Sequence, residues 1–145
     1  MPKVCGIELK GSEAILAIID ADGNGQQYIN IEPRKIKIGD DESTNAVLSF
    51  YESFKSYVTN NHIEVVVVKK RKKNGSMSGG GVSFKLEALI QLNGTAEVVF
   101  VSGQGIAASH KKDNFELPEG INKYQEAAFM SACLYLRKNK GALYL

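Results

Sequence analysis

Apolar and polar positions trade places along the opening of the chain in a two-residue period. KVCGIEL alternates and meets a turn at Lys10-Gly11-Ser12, and EAILAIID then runs back. Asp22-Gly23-Asn24-Gly25 predicts a tight hairpin, because its glycines and Asn accept positive φ. QQYINIE continues antiparallel until Pro33 interrupts it, and KIKIG resumes the alternation. Proline has no N–H for a ladder, so this third segment belongs at a sheet edge. Lys35 and Lys37 there would discourage pairing with another edge.

Downstream the period lengthens. The polar run DDEST precedes Val47, Leu48, Tyr51, Phe54 and Val58, which share one helical stripe, and its acids suit the start of a helix. IEVVVV lacks polar alternation and predicts a central strand covered on both faces. VSFKLEALIQL places Val82, Leu86, Leu89 and Ile90 at helical spacing and stops at Asn93-Gly94. AEVVFVSG predicts a second covered strand. A loop from about Gly103 to Gly120 leads to a last helix, with Ala127, Ala128, Ser131, Leu134 and Tyr135 on its buried face. Two covered strands joined through a helix are parallel with a right-handed crossover. The expected fold is thus α/β: a mixed five-stranded sheet in the order 3-2-1-4-5, with helices on both faces.

At 145 residues and 43% hydrophobic content, the chain is of a size for one domain, residues 1–145. Net charge is +2, yet Lys69, Lys70, Arg71, Lys72 and Lys73 supply five positives in a row. The remainder carries thirteen Lys and Arg against sixteen Asp and Glu. A mildly acidic body with one basic spot implies a defined anion site rather than diffuse attraction to polyanions. No run approaches the ~18 apolar residues that span a bilayer, and no signal peptide is evident, so a soluble cytoplasmic protein is expected. Cys5 and Cys133 stand in apolar contexts without CxxC spacing, which predicts buried, reduced thiols.

The element order and the run Gly6-Ile7-Glu8-Leu9-Lys10-Gly11-Ser12 resemble the ribonuclease H-like superfamily, in the branch of the RuvC Holliday-junction resolvases and YqgF-type proteins. Within it the chain is most similar to a small bacterial family of unknown function, which implies a fold and no activity. The opening hairpin also resembles that of sugar kinases and actin-like ATPases, but those need two such domains. In the resolvases, acids on the first strand, the fourth strand and the last helix hold two Mg²⁺ or Mn²⁺ ions about 4 Å apart for phosphodiester hydrolysis. The resemblance places Glu8 at the first position, one methylene longer than the family Asp. The fourth-strand acid falls on Lys69 or Lys70. Glu126 matches the first acid of the helix pattern, and Phe129 stands at the second.

An ammonium among metal ligands repels the ions it stands among. The expectation is a neutralised site in which Lys69 or Lys70 pairs with Glu8 and with Glu126. Asp113, Glu116 and Glu119 are substitute ligands if a metal is held; otherwise they belong to a solvated loop. The cationic run leaves the carboxyl end of a parallel strand, where ligands gather in open α/β sheets. His110, Lys111 and Lys112 follow the next strand, so both basic clusters are expected on one rim. Asn74, Gly75, Ser76 and Gly79-Gly80-Gly81 offer backbone N–H groups to phosphate. Phe84 and Phe115 are the candidates for base stacking.

The sequence thus points to a non-catalytic or weakly catalytic ribonuclease H-like domain, without a cofactor. It would bind nucleic acid or a phosphorylated polyanion through Lys69 to Lys73, His110, Lys111 and Lys112. Two alternatives stay open: a nuclease using Mg²⁺ or Mn²⁺ at Glu8 and Glu126 with a substitute third acid, and a protein interaction module whose basic rim docks an acidic protein surface, with dimerisation through its edge strand or a helix.

Overall fold

The alternating segments form β1 (Lys3–Lys10), β2 (Glu13–Asp22), β3 (Gly25–Ile29) and β4 (Lys35–Lys37). After them come α1 (Thr44–Asn60), β5 (Val65–Lys69), α2 (Gly81–Gln91), β6 (Glu97–Val101), α3 (Gly103–Lys112) and α4 (Glu126–Lys138). The computed structural model describes residues 3–22, 25–71 and 81–139. The strands share one mixed sheet in the order β3-β2-β1-β5-β6, with β4 also on β2. β1, β5 and β6 are mutually parallel, and the other pairings are antiparallel.

The expected third strand is two strands. β3 pairs with Ile18–Asp22 and β4 with Glu13–Ile15, side by side along the same edge of β2. Pro33 lies in the gap between them, where no ladder donor is needed.

Strand alternation sorts the core into two layers. Cys5, Ile7, Leu9, Val66 and Val68 pack under α1 and α2, while Val4, Val65, Val67 and Val101 pack under α4. Val66, Val67 and Val68 are fully buried, as a strand covered on both faces requires. Gly6 lets α4 close onto the sheet: a Cβ there would stand 1.8 Å from the Ala128 carbonyl oxygen.

α1 differs from its expected stripe. Its buried residues are Phe50, Phe54, Tyr57 and Val58, and Leu48 is half exposed. Tyr51 faces α2 instead and donates from its hydroxyl to the Leu92 carbonyl. The acids precede the helix rather than fill its first turn, and Ser43 caps it by accepting from the Ala46 N–H. On α4 the buried face includes Phe129, Ala132, Cys133 and Leu136, whereas Ala127 and Tyr135 are only partly covered. Both cysteines are free and buried, and burial pushes each thiol up to about 12. Among the described residues no helix is long and apolar enough to cross a membrane.

Candidate functional site

β1 and β5 pair from Val4↔Val65 to Ile7↔Val68, and one further step puts Glu8 beside Lys69. Both then fall on the face that carries Val4, Val65 and Val67, beneath α4. Lys69 Nζ lies 3.4 Å from Glu8 Oε2, with side chains 32% and 21% exposed respectively. The Lys69 stem runs close to the start of α3, where a Cβ on Gly103 would lie 3.4 Å from Lys69 Cε. Lys70, one residue on, is exposed and points away, while its N–H donates to the Val101 carbonyl. The ion pair therefore sits at the carboxyl end of two parallel strands, where such sheets commonly hold ligands.

Glu126 opens α4 at the same end of the sheet. Its position is set by the residue before it, which sequence reasoning missed. Gln125 is 1% exposed; its Nε2 donates to the Leu16 carbonyl at 2.9 Å, and its Oε1 accepts from the Asn122 N–H at 3.1 Å. Asn122 and Gln125 have capping-box spacing, a signal present in the sequence. Among the described residues Glu126 forms no ion pair, so Lys69 pairs with Glu8 alone.

The rest of the cationic run divides. Arg71 is folded inward: its Nε donates to Glu87 Oε2 at 2.8 Å, and its guanidinium lies 3.4 Å from the centre of the Phe84 ring. Its side chain is only 6% exposed, so Arg71 belongs to the packing of α2. Phe84 is correspondingly occupied by Arg71. Lys72, Lys73 and the segment with Asn74, Gly75, Ser76, Gly79 and Gly80 lie outside the described residues.

The second basic cluster is not on the expected rim. The stretch read as a loop contains α3, capped by Ser102 Oγ accepting from the Gly105 N–H at 2.9 Å. α3 starts against Lys69 and carries His110, Lys111 and Lys112 in its last turn. The rise along the helix displaces them by about 10 to 14 Å from its start. There they meet the end of α4, where Arg137 Nη1 donates to the Ser109 carbonyl at 3.1 Å and to Ser109 Oγ at 2.8 Å. His110 Nδ1 accepts from the Phe115 N–H at 3.0 Å, and its ring stacks on Phe115. Phe115 is buried, with the Arg137 guanidinium 3.8 Å from its ring centre. Asp113, Glu116 and Glu119 are exposed, and Asp113 pairs with Arg137 at 3.6 Å.

The family described as "Protein of unknown function (DUF3010)" matches residues 2–135. The chain belongs to that family. No curated protein matches its sequence. Among solved structures it is similar to Thermus thermophilus RuvC, with 12% identity and a TM-score of 0.73 over 94% of this chain and 96% of the other. It is similar also to T. thermophilus RuvC in complex with Holliday junction substrate, with 10% identity and a TM-score of 0.70 over 99% and 98%. The yeast mitochondrial Holliday junction resolvase Ydc2 follows at 9% identity and a TM-score of 0.53 over 99% and 85%. These likenesses establish a RuvC-like, ribonuclease H-like fold.

The metal pair that this fold implies can be tested against the donor set. Among the described residues no group of three or more His, Cys, Asp or Glu side chains could hold a metal ion. An ammonium already contacts the one carboxylate that β1 offers. Hard divalent cations need several oxygen ligands, and this donor set does not fit them.

Proposed function

We propose that this protein is a non-catalytic ribonuclease H-like domain that binds the phosphate backbone of nucleic acid at the carboxyl end of its parallel strands. The observation that carries this reading is the Lys69–Glu8 pair, which puts a fixed positive charge where resolvase-like chemistry calls for a cation. Exposed Lys70 beside it, continued by Lys72 and Lys73, supplies the phosphate contacts. Arg71 anchors the run to α2 and takes no part in binding. His110, Lys111 and Lys112 stand too far along α3 to share this surface. Phosphate contacts give affinity without reading sequence, so binding should be sequence-tolerant and strongly salt-dependent.

The test is fluorescence anisotropy with labelled single-stranded, duplex and four-way-junction DNA across a salt series. The variant K70A/K72A/K73A, which keeps Arg71, should lower the salt slope on duplex DNA by about 2 to 3, at ~0.9 per phosphate contact. No binding at low salt, or an unchanged slope, would overturn the reading. Mn²⁺-dependent cleavage that disappears in Glu8→Gln would establish the nuclease alternative in its place.

A further inference from the structure

α3 and the last turn of α4 line an open groove of about 710 Å³ that runs from Gly105 to Lys112, with its cations at the end of α3 away from the Lys69–Glu8 pair. Gly105 and Ala108 keep the α3 wall low, and Leu134 of α4 lies at its base. Around this apolar floor stand Lys111, Lys112, Arg137 and Lys138, and the described lining contains no acid.

Cations in a last helical turn offset the helix dipole. Here two helices bring four together, and like charges this crowded repel one another. Arg137 is held by the Ser109 hydroxyl and carbonyl, the Asn114 carbonyl and Asp113. Lys111, Lys112 and Lys138 pair with no carboxylate among the described residues. Lys111, Lys112 and Lys138 are exposed, as is Ala108. A groove of this volume has room for a large side chain together with the backbone that carries it. Phosphodiester backbone would satisfy the rim but leave the apolar floor wet, whereas a peptide satisfies both.

We propose that the α3–α4 groove docks an acidic peptide segment of a partner protein, which inserts one large apolar side chain between Ala108 and Leu134. Carboxylates on either side of that anchor meet Lys111, Lys112 and Lys138. Its cations stand in the last turns of α3 and α4, away from Lys69, so the domain would tether a protein partner there while the strand ends hold nucleic acid.

The experiment is anisotropy of the full chain with a fluorescein-labelled peptide, Gly-Glu-Glu-Phe-Glu-Glu-Gly, against the same peptide with Ala for Phe. The Phe peptide should bind about tenfold or more tightly than the Ala peptide, from burial of its ring. K111E/K138E should weaken it about tenfold, at up to roughly fivefold per exposed pair. Ala108→Trp, which fills the groove from an exposed position, should abolish binding of the Phe peptide while leaving the melting temperature and DNA binding unchanged. K70A/K72A/K73A should not affect the peptide, which separates failure here from failure of the nucleic-acid reading. Equal binding of the two peptides, or full binding by Ala108→Trp, would overturn the proposal. Displacement of the peptide by DNA that depends on Lys111 and Lys138 would assign the cations to nucleic acid and also overturn it. Binding seen only after removal of residues 140–145 would make the chain's own end the occupant, with the same result.

Discussion

At the scale of single residues, two positions decide what the β1 end of the sheet can be. Gly6 admits the Ala128 carbonyl to a place that any Cβ would occupy, and the atom it would meet belongs to backbone. Gly6→Ala should therefore destabilise the fold by about 3 kcal/mol, the upper range for overpacking. Urea unfolding checks this, and a loss below 1 kcal/mol would mean that α4 can lift without penalty. Lys69 sets the charge of the site. Lys69→Met should cost about 2 kcal/mol, between the values of an exposed and a buried pair, because Glu8 is left without its partner. In Glu8→Gln/Lys69→Met the cost should shrink, and a double-mutant cycle by urea unfolding measures the difference. The choice between Lys69 and Lys70 was not legible in the sequence, since a one-residue slip exchanges their faces. The register with β1 settles it. Arg71 was illegible for another reason: in a cationic run it reads as one more surface charge, and its partners Phe84 and Glu87 lie beyond the glycine segment.

At the scale of elements, the hairpins, the doubly covered β5 and the crossover helices follow from period and turn chemistry alone. α3 was hidden because Gly103 and Gly105 weaken its helical pattern and its buried face offers little besides Ile106. The Ser102 cap and the basic last turn were readable signals. Missing that helix misplaced the second basic cluster, since a loop could have folded it back to the rim and a helix cannot. The α1 stripe shifted because Tyr51 fits the seam with α2 rather than the sheet. The start of α4 depends on Gln125, whose amide satisfies backbone groups of β2 and of the preceding turn. Gln125→Leu should cost about 2 to 3 kcal/mol by leaving those groups unpaired in the interior. Gln125→Glu should do no better, because its carboxylate cannot donate to the Leu16 carbonyl. Thermal melts of both variants test this, and near-native stability of Gln125→Leu would refute the anchoring role.

At the scale of the molecule, stability should fall in alkali. Cys5 and Cys133 have folded pKa values raised from 9.0 to about 12 by burial, and burial also pushes Tyr57 up. For a group with a raised folded pKa, stability is complete below the unfolded value and is lost as pH climbs toward the folded one. Each such thiol should remove ~1.4 kcal/mol per pH unit above about 9. Urea midpoints should thus drop between pH 9 and 11, and the drop should be shallower in C5A/C133A; parallel curves would contradict the assignment. The overall arrangement separates two charged ends. One holds the lysine–glutamate pair and the exposed Lys70, and the other holds the cations of the α3–α4 groove. The fold could be read from pattern because many residues vote for each element, whereas the site turns on single side chains whose register no pattern reports. The most direct measurement is a crystal structure grown in Mn²⁺, with anomalous scattering collected at the manganese edge. The account predicts no manganese between Glu8 and Glu126, with Lys69 Nζ still in contact with the Glu8 carboxylate. An anomalous peak there, with Lys69 turned out to solvent, would contradict it.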